Sequence, residues 1–467
     1  MSKLGDHIEY VKGFAFKSKD YTETGIPVIR VSNFTDNSID IKDVYHIPKE
    51  RFSEFQKVNL IKDDIVIATV GSWPTNPSSV VGKTIRVPPE ANNTLLNQNA
   101  VRIRSLDKDE QLYFYYVLKD KSFSDYIIST AQGSANQASI TLKSILDYDL
   151  PNIDSKEKRI KIGKTLATYD EKIQLNTQIN QTLEQIAQAL FKSWFVDFDP
   201  VRAKVQALSD GLNLEQAELA AIQAISGKTP EELTALSQTQ PDRYAELAET
   251  AKAFPCEMVE VDGVEVPKGW EVKRIDEIAN IIKGKSYKSS ELEKSKTALV
   301  TLKSFNRGGG YRLDGLKEYT GKYKPEQEVF AGELIIAYTD VTQAADVIGK
   351  PAMVMSDSNY KHLVISLDVG VVRPFNDVYK HFLYCLAMTD SFQAHTKSFC
   401  TGTTVLHLGK DAVPSFEFIN PNNELLHVFY KQTSPIFEKI NLHIEENKNL
   451  EKARDLLLPR LLSGEIK

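Results

Sequence analysis

The chain carries one pattern of strands and a long helix twice, and this repeat limits its fold more than any other feature. The apolar pattern of residues 13–18 returns at 284–289, 271 residues later. Residues 64–68 (Asp-Ile-Val-Ile-Ala) match 333–337, and residues 81–83 match 348–350. Short alternating blocks rich in β-branched residues are typical of half-buried strands. The repeat therefore predicts two similar α/β domains in tandem.

Each repeat ends in a predicted long helix. Apolar residues recur every three or four positions from Ile162 to Trp194, and the same spacing runs from Ile436 to Leu461. This spacing is typical of a coiled-coil seam. We expect the two helices to pair antiparallel, giving a pseudo-two-fold molecule; the alternative is two independent helices, each packed on its own domain. The predicted seam consists of Ile173, Asn180, Leu183, Leu190, Ile440, Asn447, Leu450 and Leu457.

The predicted fold class is α+β, with two tandem mixed α/β domains, each followed by a long helix. The segment between the repeats is rich in Ala, Glu and Gln, and Thr229 to Glu232 form a capping box that begins a helix. We therefore predict a helical connector there. The predicted boundaries are a first domain at 1–155, a central helix at 156–199, the connector at 200–266, a second domain at 267–420 and a C-terminal helix at 421–467.

Charge and composition exclude some classes of protein. The net charge of −6 argues against coating nucleic acid by bulk electrostatics, but not against placing a few Lys and Arg locally. Three scattered cysteines predict neither a disulfide framework nor a zinc site. No apolar run is long enough to cross a membrane, and the N-terminal residues lack a signal-peptide pattern. We therefore expect a cytoplasmic protein.

The sequence lacks the common motifs of catalysis. It has no complete phosphate-binding loop, no zinc-protease motif and no nucleophile-elbow motif. We therefore predict no catalytic residues, no metal ligands and no enzymatic activity for this chain. A complete enzyme with an unrecognised catalytic site is one alternative. A coiled-coil scaffold that does not bind DNA is another.

Three segments resemble the specificity subunits of type I restriction-modification systems. Residues 13–34 resemble the opening of a target-recognition domain, 175–198 the central region, and 456–464 the C-terminal region. The resemblance implies that each domain recognises one half of a split, asymmetric double-stranded DNA site and that the helices set the gap. It also implies docking of two methyltransferase subunits, which use S-adenosylmethionine to methylate adenine, and two motor-nuclease subunits, which use ATP and Mg. None of these cofactors is expected on this chain.

Polar loops beside the repeated strands contain side chains suited to base edges. Asn and Gln suit adenine, Arg and Lys suit guanine, and Ser or Thr suit either. In the first half the predicted DNA contacts are Lys17, Ser18, Arg30, Ser32, Asn33, Ser72, Trp73, Thr75, Asn76, Gln132, Ser134, Asn136 and Gln137. In the second half they are Lys288, Ser289, Lys303, Ser304, Asn306, Arg307, Thr339, Asp340, Thr342, Gln343, Thr401, Thr403 and Thr404.

Overall fold

The computed structural model describes residues 2–35, 37–73, 80–134, 137–153, 155–261, 263–341 and 345–466. The chain forms two compact units. The first unit comprises Met1–Gln174 and Asn447–Lys467, and the second comprises Leu175–Glu446. Each of the two long helices therefore contributes residues to both units.

The first unit consists mainly of short strands followed by helices. Its strands are β1 (Ile8–Lys12), β2 (Ile26–Ile29), β3 (Tyr45–Ile47), β4 (Asn59–Leu60), β5 (Ile65–Ala68), β6 (Val70–Gly71), β7 (Thr84–Arg86), β8 (Thr94–Leu96), β9 (Ala100–Ser105), β10 (Gln132–Ser134) and β11 (Gln137–Ser139). Its helices are α1 (Gln111–Lys119), α2 (Lys121–Ser129), α3 (Leu142–Leu146) and the first part of α4 (Lys156–Phe195).

These strands form the sheets β1-β9-β5-β7, β3-β2-β8-β4 and β10-β11-β6. Strand β5 is buried on both faces, because its run Ile-Val-Ile-Ala has no polar residue to present to water. Ile65 and Ile67 belong to a core that includes α1, whereas Val66 and Ala68 belong to a second core with β2 and β8. The alternation of side chains along one strand thus divides the unit into two layers.

The connector forms helices that belong to the second unit. They are α5 (Asp199–Ser209), α6 (Leu214–Ser226), α7 (Pro230–Thr239) and α8 (Pro241–Ala253). The predicted capping box is present, with the Thr229 hydroxyl accepting from the Glu232 N–H at 3.3 Å. The connector ends in a hairpin of β12 (Met258–Val261) and β13 (Val264–Pro267), which the prediction of a helical connector did not include. The hairpin runs are too short and too acidic to show a clear strand pattern.

The second unit repeats the first strand for strand. Its sheets β15-β23-β19-β21, β17-β16-β22-β18 and β20-β25-β24 follow the same orders, and a further strand pair, β14-β26, is added. The strands are β14 (Glu271–Arg274), β15 (Ala279–Lys283), β16 (Thr297–Val300), β17 (Lys317–Glu318), β18 (Glu328–Val329), β19 (Leu334–Ala337), β20 (Thr339–Asp340), β21 (Pro351–Met353), β22 (His362–Ile365), β23 (Val369–Pro374), β24 (Cys400–Thr401), β25 (Leu406–Leu408) and β26 (Glu417–Asn420).

Helices α9 (Tyr379–Ala387), α10 (Asp390–Ser398) and α11 (Asn423–Leu462) match α1, α2 and α4 in length and position. Helix α11 and helix α4 are both 40 residues long, and each α11 residue lies 267 positions after its α4 counterpart. The predicted tandem α/β domains, each with a long helix, are therefore confirmed.

The long helices pair antiparallel within each unit. In the first unit the Asn447 amide donates to the Ile173 carbonyl at 3.5 Å. Also in the first unit, Arg454 binds Asp170 at 2.5 Å. Residue numbers therefore rise along one helix as they fall along the other.

In the second unit the same direction follows from the contacts of Asn180. Its side-chain oxygen lies 2.8 Å from the His443 ring nitrogen Nδ1, and its amide donates to the Ile440 carbonyl at 3.3 Å. Asn176 donates to Glu446 at 2.8 Å. A polar contact set of this kind in an apolar seam fixes register.

Candidate functional site

The predicted polar segments of the first unit meet around one loop, residues 97–99 between β8 and β9, which we name the first central loop. Three main-chain hydrogen bonds hold the loop. The Asn97 N–H donates to the Ile29 carbonyl at 2.9 Å, and the Thr69 N–H donates to the Asn99 carbonyl at 2.9 Å. The Phe14 N–H donates to the carbonyl of the last residue of β8 at 2.8 Å. The polar residues that follow Phe14, Ile29 and Thr69 along the chain therefore begin beside the same loop.

The second unit has the same arrangement at residues 366–368, the second central loop. The Ser366 N–H donates to the Val300 carbonyl at 2.9 Å, and the Tyr338 N–H donates to the Asp368 carbonyl at 2.7 Å. The Lys285 N–H donates to the carbonyl of the last residue of β22 at 2.9 Å. Because these bonds are made by the main chain, the two loops share one frame although their sequences differ.

A glycine packs directly against each central loop. A Cβ atom on Gly13 would lie 1.9 Å from the Asn97 carbonyl oxygen, and one on Gly284 would lie 2.1 Å from the Ser366 carbonyl oxygen. Side chains do not fit at such distances from a main-chain atom. The matched glycines that revealed the repeat thus allow the close approach of β1 and β15 to these loops.

Beside each central loop, a small sheet adds a polar hairpin. The central loop, the polar segments beside it and this hairpin together form what we call the edge of the unit. In the first unit, β6 pairs with the β10–β11 hairpin, and the Trp73 indole N–H donates to the Ser134 carbonyl at 2.8 Å. In the second unit, β20 pairs with β25, and Thr339 lies opposite His407. The predicted contact segments near residues 72, 132–134 and 137 therefore belong to one small sheet in the first unit, and those near 339–340 and 401–404 belong to one small sheet in the second.

Most of the predicted contact residues that the structure describes reach the surface. Arg30 and Trp73 are partly buried. The exposed residues are Lys17, Ser18, Ser32, Gln132, Ser134 and Gln137 in the first unit, and Lys288, Ser289, Lys303, Asn306, Arg307, Thr401, Thr403 and Thr404 in the second.

Other predicted contact residues are buried and support the main chain. The Asn33 side-chain oxygen accepts from the Arg30 N–H at 2.9 Å, and the Ser304 hydroxyl accepts from the Thr301 N–H at 3.2 Å. The Asp340 carboxylate accepts main-chain N–H groups of the loop that follows it. A base contact by these groups would require them to leave these partners. The buried residues are Asn33, Ser72, Ser304, Thr339 and Asp340.

Some predictions fall outside the part of the chain that the structure describes. These are Thr75, Asn76, Asn136, Thr342 and Gln343. They stay predictions from the sequence, as does the assignment of every other residue as a DNA contact.

The side chains of the central loops themselves were not among the contacts predicted from the sequence. Gln98 and Asn99 are exposed, as is Leu367, which is 54% exposed. The run Asn97-Gln98-Asn99 directly after the apolar end of β8 was the available signal, since consecutive amide side chains between two strands suit hydrogen bonding. Its counterpart, Ser-Leu-Asp, shares no residue with it, so the repeat does not draw attention to it.

Basic side chains border both edges. Lys12 and Lys17 flank the glycine of the first unit, and Lys285 and Lys288 follow that of the second. The Arg30 guanidinium lies 4.2 Å from the ring centroid of Tyr45, which holds its planar group over an aromatic face. Such residues can bind phosphate oxygens beside a base-contacting surface.

The predicted seam residues lie along the paired helices. Leu183 and Leu190 pack against the large core of the second unit, and Ile440 is buried within it. Leu457 packs against a core of the first unit. Leu450 and Ile173 are partly buried.

Neither a metal-binding cluster nor a membrane-spanning helix occurs among the described residues. Within those residues, no group of three or more His, Cys, Asp or Glu side chains is arranged to hold a metal ion. Likewise, none of the helices in the described ranges combines the length and apolar character needed to span a membrane.

Comparison with known proteins identifies the class. The family model "Type I restriction modification DNA specificity domain" matches residues 1–185 and 267–452, more than half of the chain. The matched ranges leave out residues 186–266, which include the connector. The edge of each unit thus lies within one of the two matched ranges.

Individual relatives agree with this class. The chain is 44% identical over 365 residues to the type I restriction enzyme HindI specificity subunit of Haemophilus influenzae, covering 76% of this chain and 77% of that protein. It is 26% identical over 371 residues to the MjaIX specificity subunit of Methanocaldococcus jannaschii, covering 76% and 69%. A crystal structure of the type I restriction-modification S subunit from M. genitalium matches 98% of this chain and 94% of that chain, with a TM-score of 0.49 and 17% identity. The family match and the Haemophilus relative show that the chain belongs to the type I restriction-modification specificity subunits.

Proposed function

We propose that this specificity subunit recognises a bipartite, asymmetric DNA site, one half with the edge of each unit. The supporting observation is that one main-chain frame is built twice and carries different side chains each time. Two identical edges would suit a symmetric site. Edges that differ in side chains suit two different half-site sequences, because sequence is distinguished by side-chain contacts with base edges.

The exposed residues of each edge supply suitable chemistry. The first edge presents the amides Gln132 and Gln137, which can form paired hydrogen bonds with adenine. The second presents Arg307 and the hydroxyls of Thr403 and Thr404. Lysines bordering both edges would contact phosphates, which position the protein without selecting sequence.

The distribution of charge also favours DNA binding by the repeated parts. Residues 201–266 contain twelve acidic and five basic residues, a net charge of −7, whereas the whole chain has a net charge of −6. The acidity of the chain therefore lies in the connector. The two repeats together are close to neutral, so a few local cations can attract phosphates without a large opposing charge.

We further propose that the chain is non-catalytic and recruits the catalytic subunits. The long helices would dock two methyltransferase subunits, and two motor-nuclease subunits would join the complex. S-adenosylmethionine, ATP and Mg would bind to those partners. The naming of the relatives as specificity subunits of type I restriction enzymes supports this division of roles.

Selection from a random duplex pool tests the proposal. The full chain, co-expressed with its methyltransferase subunit, would be incubated with the pool near physiological salt, where non-specific binding is weak. We expect a split, asymmetric consensus with a fixed gap. A contiguous site would assign DNA recognition to one unit only. An intact complex that enriches no sequence would contradict the proposal and favour a scaffold.

Variants at the two edges sharpen this test. We expect Gln132→Ala with Gln137→Ala to relax one half of the consensus, and Thr403→Ala with Thr404→Ala to relax the other. Each lost base contact should reduce discrimination by about 1–3 kcal/mol. Asn152→Ala, at an exposed position on neither edge, is the control and should leave both halves unchanged.

A further inference from the structure

Aliphatic side chains are exposed at the edge of the second unit. Val341 is 70% exposed, Leu367 is 54% exposed and Val405 is 36% exposed. Within the described residues, none of the three packs against a core cluster. A single exposed aliphatic residue is ordinary. Three in one region, none of them packed against a described core cluster, leave aliphatic surface available to a ligand.

Two of these residues directly adjoin one strand pair. In the β20–β25 pair, Thr339 lies opposite His407 and Asp340 lies opposite Leu406. Val341 follows Asp340 and Val405 precedes Leu406, so each lies one residue beyond the paired segment.

Main-chain bonds connect Leu367 to the same sheet. Asp368, the residue after it, accepts from the Tyr338 N–H at 2.7 Å, and the Tyr338 carbonyl accepts from the Leu408 N–H at 2.9 Å. Leu367 therefore belongs to the same hydrogen-bonded edge as the two valines.

The matching positions of the first unit are polar. The central-loop residue equivalent to Leu367 is Gln98, which is exposed. The residue after β6 is the buried Ser72, where the second unit has the exposed Val341. The hairpin ends in the exposed Ser134 and Gln137, and Gln137 stands where the second unit has Val405. At these matched positions the first unit presents the amides Gln98 and Gln137, whereas the second presents aliphatic groups beside the hydroxyls of Thr403 and Thr404.

These two chemistries suit different features of an A·T base pair. In the major groove, thymine presents a C5-methyl group, which apolar side chains contact. Adenine presents the N7 acceptor and the N6 donor, which an amide binds as a pair. Resting on the proposed function, we infer that the second unit recognises thymine methyl groups through Leu367, Val341 and Val405, whereas the first unit recognises adenine through amides that include Gln98.

Base analogues separate the two modes of recognition. The full chain with its methyltransferase subunit would be titrated with duplexes of the selected site in which uracil replaces thymine in one half at a time. Uracil differs from thymine only by the methyl group. Burial of one methyl group corresponds to about a fourfold change in Kd. We expect this loss for each contacted thymine in the second unit's half-site and no loss in the first unit's half-site.

The opposite pattern is expected with 7-deazaadenine, which lacks the N7 acceptor. It should weaken binding through the first unit's half-site by at least about fivefold and leave the other half unchanged.

Variants assign each half-site to its unit. Leu367→Ala should abolish part of the sensitivity to uracil, and Gln98→Ala should leave that sensitivity intact while reducing the effect of 7-deazaadenine. Both side chains are exposed, so neither change should unfold the protein.

The outcomes distinguish this inference from the proposed function. A split consensus whose binding is unaffected by uracil, or equally affected in both halves, overturns the inference alone. A second half-site without any A·T pair also overturns it. Failure of the intact complex to enrich any sequence overturns the proposed function and the inference with it.

Discussion

The junction between a short helix, α1 or α9, and the paired long helices is filled by different side chains in the two units. In the first unit, α1 meets the paired long helices through charges: the Tyr116 hydroxyl donates to Asp170 at 2.5 Å, and Arg454 donates to the other oxygen of Asp170 at 2.5 Å. The side chains of Arg454 and Asp170 are only 12% and 14% exposed. Although burial alone would lower the pKa of Arg454, the adjacent Asp170 raises it overall.

The second unit has aromatic and small residues at the matching positions. Tyr384 corresponds to Tyr116, but Phe437 stands in place of Asp170 and Ala187 in place of Arg454. The Tyr384 and Phe437 rings lie edge to face with centroids 5.5 Å apart. Buried ion pairs and apolar groups of similar shape can fill the same site with similar stability. The Tyr384 hydroxyl donates to the carboxylate of Glu184 on α4, so this tyrosine has an acidic partner in both units. The comparison indicates that the fold keeps a tyrosine–carboxylate contact at the junction but does not require the Arg454–Asp170 ion pair.

Among the variants that test this comparison, removal of the Arg454 charge should have the largest effect on stability. We expect Arg454→Ala to lower the free energy of unfolding by about 3–5 kcal/mol, because Asp170 is left buried without its cation. Urea unfolding of the full chain would measure the loss, and hydrogen exchange of Gln111–Lys119 would locate it in the first unit.

Two controls accompany Arg454→Ala. Arg460→Ala removes an exposed ion pair with Glu465 and should cost less than about 1 kcal/mol. The double variant Asp170→Phe with Arg454→Ala gives the first unit the residues of the second and should recover most of the loss. Equal effects of the Arg454 and Arg460 variants would contradict the importance of the ion network.

Acid should affect the second unit more than the first, because His381 occupies the position of Tyr113. Burial lowers the pKa of His381 to about 4, and the charge of Lys380 acts in the same direction. In the unfolded chain the group titrates near 6.5. The unfolded state therefore binds the proton first, and stability that is present above pH 6.5 is lost as the pH falls towards 4.

At pH 5 this linkage corresponds to about 2 kcal/mol relative to pH 7.5. Hydrogen exchange of Tyr379–Ala387, compared with Gln111–Lys119 at both pH values, would measure it. His381→Phe should remove the excess loss in the second unit. If that variant keeps the same acid sensitivity, another group is responsible.

Replacement of the polar residues in the seam between the long helices should have the smallest effect on stability. We expect Asn180→Leu to cost about 1 kcal/mol, since its two hydrogen bonds, to His443 and Ile440, are lost. Asn447→Leu loses the hydrogen bond to the Ile173 carbonyl and should also weaken the pairing of the two helices. Thermal unfolding would rank them. Both variants should select the same DNA sequence, and a changed sequence from an intact assembly would contradict the separation of helix pairing from base recognition.

The repeat allowed much of the fold to be predicted from the sequence. Strands such as β5 and β19, and both 40-residue helices, follow from local apolar patterns that occur twice. The candidate site was less accessible. In sequence, Asn33 and Ser304 resemble surface polar residues. In the structure they are buried and accept hydrogen bonds from nearby main-chain N–H groups. The importance of Gln98 depends on bonds from its loop to segments about 30 and 70 residues distant, which no local pattern contains.

Gly13 packs against Asn97, and Gly284 packs against Ser366. The position of each central loop therefore depends on different residues from the exposed side chains that it carries. The position of each loop is specified by a glycine and by main-chain hydrogen bonds, which non-proline substitutions of the exposed residues Gln98, Asn99 and Leu367 leave in place. Under the proposed function, new DNA preferences would arise by replacement of these exposed side chains one at a time, without loss of the main-chain frame.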